Sequence, residues 1–201
     1  MYHFFQFLAY IPLNILFPVK IVGKKNLPKG KAILSPNHTS NTDIVLLIGD
    51  LFEKKYTLAK KELFKKKLKS GFLKIMGGVP IDREKPSLES MKKVLSLLKK
   101  NKKVIIFPEG TRNGDIAQSG EIGETKNGIV LFAVKSKSPI VPIWISKKPK
   151  VFRKTKIVIG EPYELSEFYD KKLDEKTLKK AGEIVNKKLI ELGKKCKNGE
   201  I

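Results

Sequence analysis

Short runs of β-forming residues alternate along this chain with segments of helical periodicity, and that alternation narrows its fold more than any other feature. Residues 21–22, 32–34, 56–59, 79–81, 104–107, 140–145 and 157–159 read as strands. Between them, helices are expected at about 43–52, through a lysine-rich stretch to Met76, and at 87–100, 127–136 and 174–195. The segment 87–100 is the clearest: Leu88, Met91, Leu95 and Leu98 make one stripe, and Ser87 is placed to cap it. Val104-Ile105-Ile106-Phe107, between Lys103 and Pro108, is the best candidate for a buried strand. Such a chain is α/β: a single-domain layered sheet, largely parallel, flanked by helices. In sheets of this kind ligands collect beyond the carboxyl ends of the strands.

Composition sets the remaining bounds. With 201 residues, 41% hydrophobic and 31% charged, the chain suits one domain with a proper core. Forty-two basic residues against 20 acidic ones leave a net charge of +22, which favours nucleic acid, an anionic membrane face or acidic carriers as partners. Nucleic acid is the poorer match, because only Arg83, Arg112, Arg153 and one Trp are available for base readout and stacking. The lysines also run along the whole chain instead of forming one patch. Where lysine is the default cation, each arginine is a candidate for work that needs a planar bidentate fork. One cysteine, Cys196, excludes an internal disulfide; with only His3 and His38 beside it, no Cys/His zinc cluster can be assembled. The expected setting is therefore intracellular or cytosol-facing.

Residues 2–19 are apolar but broken by Gln6, Pro12, Asn14 and Pro18, too short and interrupted for a spanning helix. They lack the basic start and the cleavage site of a signal peptide. Phe4, Leu8, Ile11 and Ile15 recur at helical spacing, which fits an amphipathic interfacial helix or a helix docked on the protein's own core. The lysines just beyond would reinforce the first at an anionic surface. The expected division is an interfacial membrane anchor over 1–19 and a catalytic domain over 20–201, peripheral on the cytoplasmic face of the cell membrane.

Two constellations carry chemistry. The first, Asn37-His38-Thr39-Ser40-Asn41-Thr42-Asp43, comes directly after the strand 32–34. Asp43 falls where a helix begins, and an ionised carboxylate there can accept from Nδ1–H of His38 and leave Nε2 free to take a proton. The residues alone leave two readings open: a catalytic pair, or a helix-capping Asp43 beside a loop histidine. The second, Phe107-Pro108-Glu109-Gly110-Thr111-Arg112, closes the best strand. Gly110 permits close backbone approach, and Arg112 can grip a phosphate bidentately. Arg83 ends a similar short segment, Val79-Pro80-Ile81-Asp82-Arg83; the plainer reading of both arginines is surface ion pairing with Asp82 and Glu109.

Taken in order, these motifs resemble the glycerophospholipid acyltransferase family, in its lysophosphatidate-acylating branch. Asn37-His38 with Asp43 is similar to the family's first motif, Ile81-Asp82-Arg83 to the second, Phe107 to Arg112 to the third, and Val141-Pro142-Ile143 to the fourth. The resemblance spans positions 37–143. It implies a glycerol-3-phosphate acyltransferase-like fold and acyl transfer from acyl-CoA or acyl carrier protein to the free hydroxyl of 1-acyl-glycerol-3-phosphate, giving phosphatidic acid. It also implies roles: His38 as general base, Asp43 as its orienting partner, and Arg83, Glu109, Gly110, Thr111, Arg112 and Lys126 at the substrate phosphate. Val141, Pro142 and Ile143 would line the acyl side. No metal or cofactor is expected. Lys60 and Lys61 resemble family positions less specifically. Pro108 and Thr111 look more like the lysophosphatidate enzymes than the glycerol-3-phosphate enzymes. The alternatives are another lysolipid or glycerol-3-phosphate as acceptor, or a thioesterase or lipid hydrolase in which His38 activates water.

Overall fold

In a computed structural model of the chain, the described residues are 7, 12–40, 42–50, 54–82, 87–109 and 127–201. They contain one seven-stranded sheet made of β1 (Val19–Val22), β2 (Ala32–Pro36), β3 (Lys55–Lys60), β4 (Gly78–Ile81), β5 (Lys103–Ile105), β6 (Ile140–Ile145) and β7 (Thr155–Ile159). The strand order is β1-β7-β6-β2-β5-β3-β4. From β6 to β4 every pairing is parallel. Strand β7 pairs antiparallel with β6, and β1 lies parallel to β7 at the sheet edge. Chain connectivity gives the reason: β6 and β7 are joined by residues 146–154 without a helix, and such a connection returns the chain antiparallel. The expected strands at 21–22 and 32–34 are thus consecutive in sequence but three places apart in the sheet.

Among the described residues these helices flank it: α1 (Thr42–Asp50), α2 (Lys67–Ile75), α3 (Leu88–Lys99), α4 (Asn127–Ser136) and α5 (Glu175–Lys197). Alternate residues of each central strand face opposite layers. Ile33, Val104, Ile106 and Ile140 pack with Val94 and Leu98 of α3, Val130 and Ala133 of α4, and Val185 of α5. Leu34, Ile105, Phe107, Val141 and Ile143 pack on the other side with Leu46 and Leu47 of α1. Burial of both faces explains why the central strands read as unbroken apolar runs.

Helix α3 begins as expected, with the Ser87 hydroxyl accepting from Ser90 N at 3.2 Å. Its buried stripe is shifted, however: Val94 and Leu98 are enclosed, whereas Leu88 is 73% exposed. Leu88 sits in the first turn, before the helix has reached the sheet. Helix α5 crosses Trp144, a buried residue of β6, at Gly193, where a Cβ would stand 2.8 Å from the indole ring. A Gly193→Ala change gains up to about 1 kcal/mol of helix propensity but overpacks a closed site at a cost of about 1–3 kcal/mol. We expect a net loss, read as a lower urea midpoint; an unchanged midpoint would mean that the indole has room to shift.

Residues 12–16 are helical, Phe17 packs against the α1 side of the core, and β1 starts at Val19, inside the expected 1–19 segment. Most of the N-terminal stretch expected as an amphipathic anchor lies outside the described residues. Among those described, no helix is long and apolar enough to cross a membrane.

The topology prepares a site. The chain leaves β2 through α1 on one face towards β3, and leaves β5 through the segment ending in α4 on the other face towards β6. Connections that depart from neighbouring strands in opposite directions open a crevice at their carboxyl ends.

Candidate functional site

Strand β2 stops at Pro36, and Asn37 anchors the loop beyond it. Asn37 N–H donates to Ile143 O at 3.3 Å. Its side-chain amide then continues the ladder: Nδ2 donates to Ile145 O at 3.1 Å, and Ile145 N–H donates to Oδ1 at 2.7 Å. The His38 loop is thereby clamped to the carboxyl end of β6.

His38 and Asp43 meet behind that clamp. The His38 Nδ1 lies 3.0 Å from Asp43 Oδ2. The same oxygen accepts from Thr39 N at 2.6 Å and Ser40 N at 2.7 Å, while Oδ1 accepts from the Thr39 hydroxyl at 2.9 Å. Every group around this fully buried carboxyl can donate, which is the environment of an acceptor-only carboxylate. Nδ1 then carries a proton, and in the neutral imidazole Nε2 presents a lone pair. Asp43 also stands in the first turn of α1 and reaches back to the backbone N–H of Ser40, as a reciprocal capping residue does. One carboxylate thus makes both the capping contact and the contact with the imidazole. Its capping role holds the loop, and the loop holds the imidazole.

Two residues from the end of β5 complete the setting. The Phe107 ring stacks on His38 with centroids 4.0 Å apart and planes inclined by 30°. The buried Glu109 accepts from His38 N–H through Oε1 at 3.4 Å. Glu109, expected at a substrate phosphate, thus lies against the main chain of the histidine loop. Val141, Pro142 and Ile143 lie on β6 beside Leu34, Ser35 and Pro36, all buried, and Ile143 supports Asn37 from below. Lys60 is exposed at the end of β3, and Lys61 pairs with Asp82. Arg83, Gly110, Thr111, Arg112 and Lys126 lie outside the described residues. Their neighbours Asp82 and Glu109 come after β4 and β5 at the same carboxyl edge as His38.

Three contributors escape a reading of the sequence. Asn37 is visible as a motif residue, but its pairing with Ile145 joins positions 108 apart. Phe107 is visible as the first residue of the third motif, but only the pairing of β2 with β5 brings it over the imidazole. Thr39 carries no signal beyond its place next to His38.

The Acyltransferase family model matches residues 18–146 of this chain. The 1-acyl-sn-glycerol-3-phosphate acyltransferase of Bacillus subtilis (strain 168) is 34% identical over 175 residues, which cover 84% of this chain and 85% of that one. A protein of the same name from Cocos nucifera is 33% identical over 143 residues, 70% of this chain and 45% of its own longer length. Among solved structures, the 1-acyl-sn-glycerophosphate (LPA) acyltransferase of Thermotoga maritima superposes with a TM-score of 0.67 at 27% identity, covering 94% of this chain and 77% of that one.

Proposed function

Because this chain belongs to the acyltransferase family, we propose that it moves an acyl group from a thioester to the free hydroxyl of 1-acyl-sn-glycerol-3-phosphate, forming phosphatidic acid. The observation that carries the mechanism is the His38–Asp43 contact at 3.0 Å with every donor on the carboxylate accounted for. Nε2 of His38 removes the acceptor hydroxyl proton as its oxygen attacks the thioester carbonyl. Asp43 stabilises the imidazolium so formed. Collapse of the tetrahedral intermediate breaks the C–S bond, and the imidazolium returns its proton to the departing thiolate. The products are an ester and a free thiol, so the scheme calls on no resident metal or cofactor. No enzyme nucleophile is needed, because the acceptor's hydroxyl takes that part.

The family pattern assigns the acceptor phosphate to Arg83 and Arg112, with Gly110, Thr111 and Lys126 beside them. A phosphate grip acts on ground state and transition state alike, so Arg112→Ala should raise the acceptor's apparent KM by about tenfold with little change in kcat. A fall in kcat at unchanged KM would remove Arg112 from the phosphate. Both acyl-CoA and acyl carrier protein suit a cationic surface as donors. We place the chain peripherally on the cytoplasmic face of the membrane, with residues 1–19 as anchor and 20–201 as catalytic domain.

The deciding experiment monitors thiol release and phosphatidate formation together, from a long-chain acyl-CoA or acyl carrier protein, with and without lysophosphatidate. Release that requires the acceptor and matches the product is expected. Release without acceptor would make the protein a hydrolase.

A further inference from the structure

Five of the eleven large hydrophobic side chains exposed among the described residues, Leu68, Phe72, Leu88, Val151 and Phe152, belong to elements that start or turn at the edge of the sheet where His38 lies. After β3, helix α2 begins there with Leu68, 91% exposed, and Phe72 stands one turn later on the same face. After β4, α3 begins there with Leu88. After β6, the chain turns there at Lys150–Arg153, where Arg153 N–H donates to Lys150 O at 3.1 Å and the tip carries exposed Val151 and Phe152. Among the described residues, the connections 23–31, 99–102, 136–139 and 160–174 at the opposite edge present no exposed large hydrophobic residue. A soluble surface scatters such residues singly; collecting them on one side marks a contact face.

Each of the two larger points is ringed by cations. Lys65, Lys66, Lys67 and Lys74 are exposed around Leu68 and Phe72. Lys147, Lys148, Lys150 and Arg153, with Ser146, line a cavity of about 340 Å³ at the foot of the 150–153 turn. No ion pair to these cavity cations occurs among the described residues. Arg153 is the one arginine that the catalytic reading leaves unused. Phe152 holds a φ of 58°, a left-handed conformation unfavourable for a bulky side chain, and its N–H donates to Leu16 O at 2.7 Å. Backbone strain of this kind collects at functional contacts, and the exposed ring is placed to make one outside the protein.

We propose that α2 and the 150–153 turn are two bilayer contacts, additional to the N-terminal segment, that set the protein edge-on against an anionic membrane. In the sheet, β2 and β5, which lead into His38 and Glu109, lie between β6 and β3, so the two contacts bracket the reacting centre. The apolar tips enter the acyl boundary, and the lysines and Arg153 take the lipid phosphates. The use of this placement rests on the acyltransferase reading, since a lipid acceptor then meets His38 without leaving the membrane plane.

The test uses full-length protein, sedimented with phosphatidylglycerol-rich vesicles and assayed separately on a short-chain lysophosphatidate below its micellar concentration. Leu68→Ser/Phe72→Ser and Phe152→Gly should each weaken partition by about tenfold or more, with turnover on the monomeric acceptor retained. Phe152→Gly should also raise the thermal midpoint, because glycine accepts the positive φ; loss of binding in a more stable protein cannot be misfolding. Arg153→Gln with Lys147→Gln should reduce partition into anionic vesicles and leave the weak binding to phosphatidylcholine vesicles unchanged. Wild-type partition in both apolar variants would overturn the placement. So would unchanged partition accompanied by a raised KM for acyl carrier protein, which would make this a protein-docking face. If the wild type binds vesicles, the variants do not, and no acyl group is transferred to the monomeric acceptor from either donor, the placement stands and the acyltransferase mechanism falls.

Discussion

Replacing His38 by alanine lowers phosphatidate formation by about 10²- to 10⁴-fold, the range supplied by a positioned general base, equivalent to about 3–5.5 kcal/mol in the barrier. The fold should survive the change. Asp43 loses one donor but keeps Thr39 N, Ser40 N and the Thr39 hydroxyl, so no acceptor is left stranded in the interior. What goes is the stacking contact with Phe107 and a buried ring. A loss of about 1–2 kcal/mol shifts the thermal midpoint of a chain this size by roughly 2–8 °C. The measurement is initial rate against lysophosphatidate alongside circular-dichroism melting. Near-wild-type rates in a folded His38→Ala protein would require another base.

Asp43→Asn should lower kcat by about 10²-fold and leave the acceptor's KM unchanged, because the charge it removes is felt only when the imidazolium forms. The geometry allows this variant to fold. Oδ2 takes three donors, so the amide oxygen must occupy that position. The amide NH₂ then faces the Thr39 hydroxyl, which can turn to accept. Asp43→Ala is a different experiment: it strands two backbone N–H groups that donate to the carboxylate, at about 1–3 kcal/mol each, and opens the loop that carries His38. The pair separates charge from scaffolding. Equal rates for wild type and Asp43→Asn would reduce Asp43 to the capping role alone.

Much of this architecture is legible in the chain. Strands β3, β4, β6 and β7 and helices α1, α3, α4 and α5 fall within a few residues of where periodicity puts them, since each owes its existence to a local pattern. Strand β5 is shorter than its apolar run: it ends at Ile105, although Ile106 N–H still bonds to Leu34 O at 2.9 Å. Leu88 also departs from expectation. It matches the helical stripe of α3, but a stripe predicts burial only where another layer stands opposite, and the sheet ends below it.

The sequence by itself determined the α/β class, the family motifs and the identity of the His38 and Asp43 pair, because these depend on residue type at short spacing. The tertiary structure decided what short spacing cannot: the β1-β7-β6-β2-β5-β3-β4 order, the clamp between Asn37 and Ile145, and the approach of Phe107 and Glu109 to a histidine some seventy positions earlier. It also brought the elements that carry exposed Leu68, Leu88, Val151 and Phe152 to one edge. The three groups lie far apart in the sequence, and they share an edge because parallel strands deliver successive connections to the same end of the sheet.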